Sequence, residues 1–236
     1  MKKSNPLIKS ILSSGGKEIL SDMGEITLEA VAKSDIVDKI PVVNWLRSCY
    51  SIGHSINDSY FILKLLRFLK EFYSFSEAEK AEFKSRMKAD AKFEAKVGDK
   101  LIELLIRMDD VEKAKIVARL FAAFIDGKIG YDSFCRYSQV VNNSYLNDLV
   151  RIGKSAEIVD EDGFVECPVS DAMVLLNSGL IEIFSKSMPE SVKKIGGALG
   201  AQNIMKYCLN YSGIEFFGII KGKEKEEENM GENHEN

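Results

Sequence analysis

Residues 58–73 read Asp58-Ser59-Tyr60-Phe61-Ile62-Leu63-Lys64-Leu65-Leu66-Arg67-Phe68-Leu69-Lys70-Glu71-Phe72-Tyr73. Ten of these sixteen side chains are apolar, and Lys64, Arg67 and Glu71 form only a narrow polar stripe. The stretch is expected to be a helix with apolar residues on nearly every side. Such a helix is either buried at the centre of its own domain or laid against a partner or a membrane. Central burial is the default expectation. In the partner-facing alternative, Tyr60, Phe61, Leu65, Phe68, Leu69 and Phe72 form the contact face.

Working outward, the flanking sequence is also helical in character. Towards the N-terminus, helices are expected up to Leu20 and over 26–37, and Pro41 punctuates the chain before 42–50, which carries the only tryptophan, Trp45. Towards the C-terminus, Ser76-Glu77-Ala78-Glu79 has the capping-box pattern that starts a charged helix. Gly98-Asp99 is expected to restart a helix running to Met108, and Asp109-Asp110-Val111-Glu112 to open another. In the latter, Ala114, Val117, Ala118, Phe121 and Ile125 follow a three/four spacing that Gly127 ends. Asp132 or Ser133 is expected to cap the next helix, with Phe134, Tyr137, Val141, Tyr145 and Leu149 on one face.

After Gly153 the pattern changes. Residues 156–159 and 164–167 flank Asp160-Glu161-Asp162-Gly163, a strand–turn–strand reading. A short helix capped by Ser170, a strand over 180–188, a glycine-bearing loop, a strand over 204–211 and a helix capped by Ser212 complete the series. This order, with Leu176-Asn177-Ser178-Gly179-Leu180-Ile181 and Tyr207-Cys208-Leu209-Asn210-Tyr211-Ser212-Gly213, resembles a winged-helix module. The whole chain is similar to bacterial proteins of uncharacterised function that pair a helical body with such an ending, and that resemblance carries no function with it. The expected fold class is mainly α: a helical bundle body over 4–153, a small α+β winged-helix-like module over 154–220, and a disordered acidic tail over 221–236.

The 236 residues carry 32 Lys and Arg against 36 Asp and Glu, and the tail Lys221–Asn236 alone holds three Lys and six Glu, so the body is close to neutral. A generic polyanion binder is excluded on that balance. The four cysteines, Cys49, Cys135, Cys167 and Cys208, are dispersed rather than framed as a disulfide scaffold. No run of about 18 uncharged apolar residues predicts a spanning helix. A reduced, cytoplasmic protein is the expectation.

Candidate chemistry is sparse. Around Gly127 the calcium-loop register places Ala122, Phe124 and Ser133 where oxygen ligands belong, and only Asp126 fits. Asp160-Glu161-Asp162-Gly163 reads as a turn rather than a cation site. The histidines, His54 and His234, and cysteines at least 32 residues apart cannot supply the close pairs zinc needs. Gly196-Gly197-Ala198-Leu199-Gly200 follows no core strand of a βαβ unit and matches no phosphate-binding fingerprint. No catalytic residue, metal, cofactor or small-molecule ligand is indicated.

What remains is contact. A non-enzymatic interaction or regulatory protein, working through a protein partner or self-association, is the leading expectation. A nucleic-acid-binding regulator is the alternative, with Lys186, Lys193, Lys194 and Lys206 as phosphate contacts on the wing. The helix over 170–177 offers no basic residue for base readout. A third reading is a membrane-associated effector that inserts residues 40–73, against which the charges of Arg47, Lys64 and Arg67 weigh.

Overall fold

A computed structural model describes residues 8, 11, 17–22, 24–33, 39–50, 56–75, 85, 90–155, 165–187 and 203–221. The chain is mainly helical, with one small antiparallel sheet. It divides into two compact units, Met1–Asn143 and Ser144–Asn236.

The first unit holds α1 (Lys17–Asp22), α2 (Leu28–Lys33), α3 (Pro41–Tyr50), α4 (Ile56–Tyr73), α5 (Ala91–Arg107), α6 (Lys113–Ile125) and α7 (Tyr131–Asn143). Pro41 occupies the first helical position of α3, where its missing N–H costs nothing and its fixed φ suits the helix. Helix α4 is the hub, packing against α1, α2, α5 and, most extensively, α6. Its Phe68 and Phe72 rings lie 5.6 and 5.5 Å from Phe121 of α6, which in turn lies 5.6 Å from Phe134 of α7. Phe124 stacks on Phe134 at 5.5 Å, so one aromatic column joins three helices.

The polar stripe of α4 is no solvent-facing seam. Lys64 Nζ donates to the Met108 carbonyl at 2.6 Å, and Arg67 Nη2 donates to the Ile26 carbonyl at 2.9 Å. Arg67 also pairs with Glu112 at 2.6 Å, and Glu71 accepts from Arg119 Nε of α6 at 2.7 Å. One turn along, Lys70 Nζ donates to the Gly24 carbonyl at 2.6 Å. Each polar residue therefore ties the hub to a neighbouring segment. Burying such groups is tolerable only because they are paired.

Three expected boundaries in this unit are corrected. Helix α5 does not restart at Gly98; it begins at Ala91, and Asp90 Oδ1 accepts from the Lys92 and Phe93 amides at 3.0 Å each. Gly98 is buried inside it, because an interior glycine costs about 1 kcal/mol, less than burial of that face returns. Asp132 and Ser133 are not caps but lie within α7, whose first turn closes from the Phe134 amide to the Gly130 carbonyl. The single face expected from Phe134 to Leu149 is broken at Ser144-Tyr145, and Leu149 belongs to the next helix in the second unit.

The second unit holds α8 (Leu146–Ser155), β1 (Glu166–Cys167), α9 (Val169–Leu175), β2 (Ile181–Ser187), β3 (Asn203–Leu209) and α10 (Tyr211–Ile220). The sheet order is β1-β3-β2, with both pairings antiparallel. Ile181 pairs with Leu209 and Ser187 with Asn203, while Glu166 faces Cys208. Gly179, at φ +72, provides the left-handed turn between α9 and β2. Ser170 does not cap α9; Pro168 occupies that position, and the Ser170 hydroxyl donates to Asp171. Nor does Ser212 cap the last helix: Asn210 Oδ1 accepts from the Gly213 amide at 3.0 Å. The expected strand 156–159, its acidic turn and the capping box at Ser76 lie outside the described residues. So do the glycine-bearing loop and residues 222–236.

Candidate functional site

Helix α9 has two faces of opposite fate. Ala172 and Leu175 are fully buried towards β3 and α8, and the buried Asp171 carboxylate pairs with Arg151 of α8. Arg151 also reaches Asp148 at 2.9 Å, so one guanidinium fixes α9 to α8. Burial pushes the neighbouring Cys167 thiol up, with Arg151 partly opposing the shift. Outward, Val169, Met173 and Leu176 follow at i, i+4 and i+7, with Val174 beside them, and all four are exposed, Met173 by 61%. A surface helix normally turns polar residues to water. Here the outer face carries no charged side chain.

The concentration is not confined to α9. Among the described residues, nine of the eleven exposed large apolar side chains belong to the second unit. Tyr211, 81% exposed, and Ile214 sit on the first turn of α10. That turn is held to the segment between α9 and β2 by Asn210, through both its side chain and its backbone. Asn210 Nδ2 donates to the Gly179 carbonyl and the Asn210 amide to the Leu180 carbonyl, each at 3.0 Å. Large exposed apolar patches on soluble proteins mark contact sites. In sequence this helix stands out only for lacking basic groups, because spacing over seven residues does not fix which side chains turn outward.

The six residues of the partner-facing alternative on α4 are placed differently. Phe61, Leu65, Phe68, Leu69 and Phe72 are buried in the first unit, and only Tyr60 is exposed, by 44%. Packing of α4 among four other helices buries those five in the first unit, and of them only Phe61 lines an open groove. Ile40, Val42, Val43 and Leu46 share that core, so insertion of 40–73 into a bilayer would require unpacking it. No described helix is long and apolar enough to cross a membrane.

Of the four lysines, Lys206 lies in β3 opposite Phe184 of β2, and Lys186 opposite Ile204, a register that sets positions 186 and 206 on the same sheet face. Lys193 and Lys194 lie outside the described residues, as do His54 and His234. The turn at Gly127 is a Schellman motif, not a cation loop. Lys128 N–H donates to the Ala123 carbonyl and Gly127 N–H to Phe124, with Gly127 at φ +75. Asp126 there pairs with Lys128 at 2.9 Å. Among the described residues, no group of three or more His, Cys, Asp or Glu could hold a metal ion.

The first unit has one feature that spacing did not reveal. A groove of about 700 Å³ opens between α3, α4 and α5, with Leu46, Phe61 and Ile102 among its lining. A second hollow continues it along α5 through Ile102, Glu103 and Ile106 to Asp99 and Arg107. Tyr60 and Ile106, the first unit's only two exposed large apolar side chains among the described residues, both line the groove. No protein family, curated protein or solved structure matches this chain.

Proposed function

We propose that this chain is a non-enzymatic interaction or regulatory protein that works through protein–protein contacts made by its C-terminal unit. The observation that carries the reading is the outward face of α9, four exposed apolar residues with no charge among them, on a helix pinned from behind by Arg151. A protein partner offers such a face the burial that water does not, at roughly 25 cal/mol per Å² of apolar area covered.

The element order of this unit supports a winged-helix-like reading. A helix, a short strand, a second helix and two antiparallel strands follow in turn, with the short strand pairing to the returning one. That agrees with the resemblance noted at Leu176–Ile181 and Tyr207–Gly213. In this reading the helix that would otherwise meet a nucleic-acid groove presents Val169, Met173 and Leu176 instead.

The test is a tagged full-length chain recovered from its source cells beside Met173→Lys with Leu176→Lys. Both side chains are exposed, so the variant should keep the parent's far-UV circular dichroism and melting curve. Co-purifying protein present with the parent and absent with the variant is the expected result. Identical co-purification from both would remove α9 as the contact. The nucleic-acid alternative rests on positions 186 and 206 sharing a sheet face. It expects salt-sensitive binding of a generic duplex that survives the α9 changes.

A further inference from the structure

We propose that the outer edge of β2 is a self-association site, where β2 of a second copy of this chain pairs antiparallel about a two-fold axis at Phe184. This surface is separate from the α9 face and does not rest on it. Three observations name the occupant.

The first is the unpaired backbone. β2 stands at the end of the β1-β3-β2 order, and among the described residues no strand pairs with its other side. The Asn210 amide donates to the Leu180 carbonyl, whereas the Leu209 amide turns the other way, to the Val165 carbonyl beside β1. Backbone direction alternates along an antiparallel ladder, so Glu182, Phe184 and Lys186 direct their amides and carbonyls to β3. Ile181, Ile183, Ser185 and Ser187 direct theirs outward. Such a row is a template for another strand, and proteins commonly break it with a proline, a bulge or a very short edge. β2 runs for seven residues without a proline or a glycine.

The second is register. Only odd-numbered residues offer outward groups, so a second β2 must set odd residues opposite odd ones. A two-fold axis at Phe184 does this over the whole strand: Ile181 meets Ser187 of the second copy, and Ile183 meets its Ser185. These pairs and their symmetry mates exchange about eight main-chain hydrogen bonds. An axis at Ile183 or Ser185 also matches odd to odd, but it leaves strand ends unpaired and sets no charge opposite its complement.

The third is charge. With the axis at Phe184, Glu182 stands opposite Lys186 of the second copy, and Lys186 opposite its Glu182. Glu182 is exposed and, among the described residues, takes part in no ion pair. Opposite charges at mirror positions complement an antiparallel copy, whereas a parallel copy in register would set like against like. Ile183, 52% exposed, is the one exposed large apolar side chain of the sheet among the described residues, and it comes diagonal to its own copy across the axis. A single strand pair is at the small end of interfaces, so the dimer forms at about tens of micromolar.

The experiment is sedimentation equilibrium of the full chain from about 5 to about 200 µM, a range that spans such affinities. The expected result is a mass that rises from 26.4 kDa towards twice that value. Ser185→Pro removes one outward amide and leaves the β3 ladder intact, so it should keep the parent's melting curve and associate at least tenfold more weakly. Glu182→Lys and Lys186→Glu, which leave the backbone unchanged, should each weaken self-association at least tenfold. Their equimolar mixture should recover it, because each copy then carries the charge the other lacks. Met173→Lys with Leu176→Lys should dimerise like the parent, which separates this edge from the α9 surface. A parent that stays monomeric at about 200 µM would overturn the proposal and leave the edge to a strand of another protein. Dimers that survive Ser185→Pro, or that are lost with the α9 changes, would overturn it by placing the contact elsewhere. A mixture of the two charge variants no tighter than either alone would overturn the pairing at Phe184.

Discussion

Two glycines of the last helix should respond in opposite ways to the same added methyl group. Gly213 lies in the first turn of α10, where a Cβ would stand 2.2 Å from the Leu180 carbonyl oxygen and 3.1 Å from Leu209 Cδ2. An ordinary carbon–oxygen contact is about 3.3 Å, so helix and strand entry must separate by roughly 1 Å. The Leu180 oxygen is not free to move, because it accepts the Asn210 amide at 3.0 Å while Asn210 caps the helix. Overpacking of this kind costs about 1–3 kcal/mol, and the strained hydrogen bond about 1 more. Helix propensity returns at most about 1 kcal/mol. The net for Gly213→Ala is a loss of about 2 kcal/mol. Gly218 is exposed on the same helix with nothing within 4 Å of a Cβ, so Gly218→Ala should be neutral or stabilise by up to about 1 kcal/mol. Peptide-resolved hydrogen exchange over 203–221 reads the difference: about 30-fold faster exchange in Gly213→Ala, at 1.4 kcal/mol per factor of ten, and unchanged or slower exchange in Gly218→Ala. Equal protection in Gly213→Ala and parent would refute the close approach of α10 to Leu180.

The turn at Gly127 allows a similar contrast, since φ is +75 there: Gly127→Ala should cost about 1–2 kcal/mol in urea denaturation, whereas Gly130→Ala, with open space around it, should cost under about 1. Burial lowers the Lys64 ammonium below its ordinary value of 10.5, with Asp109 partly opposing, so the unfolded chain binds the proton more tightly than the folded one. Stability should therefore rise as pH climbs from the lowered value towards 10.5, and Lys64→Met should flatten that rise in alkaline melting curves. Asp109 gives a slope of the same sign in an acid window: its carboxyl is held down by the hydrogen bond from Lys113, which is 1% exposed, so the stabilisation is complete above the ordinary value of 3.8 and is lost as acid protonates the group. Asp109→Asn should accordingly lower the melting temperature at pH 7 and have little effect at pH 2. A double-mutant cycle on Glu71 and Arg119, both largely buried, should return a coupling of about 1 kcal/mol.

Much of the helical body was legible because its signals are local. Tyr60 to Tyr73 could be assigned from composition alone, and Gly127 and Gly179 marked turns whose positive φ only glycine adopts readily. Caps were less legible, since several nearby side chains compete for the same amides. Ser212 and Asn210 both suit the start of α10, and only the approach to Leu180 selects Asn210. The pairing of β1 was hidden for a different reason: its partner β3 lies about forty residues away in sequence. Nor was the pattern of apolar exposure visible. Met173 and Leu176 become notable only once Ala172 and Leu175 are seen to take the inner face. Tyr60 and Ile106, on separate helices, look like any other members of apolar stripes until folding leaves both at the mouth of one groove.

The ties from α4 have a consequence for how this sequence can drift. Lys64, Arg67 and Lys70 grip the carbonyl oxygens of Met108, Ile26 and Gly24, and every amino acid supplies a carbonyl. Replacing the side chain at an accepting position leaves the oxygen in place, whereas replacing a cation removes the tie outright. Each carbonyl joint is therefore written on one helix only, and, apart from the separate ion pair of Arg67 with Glu112, it imposes no pairwise constraint that covariation between positions could detect. In a saturation scan, Gly24 should tolerate many residues while Lys70 tolerates few, and the two positions should vary independently.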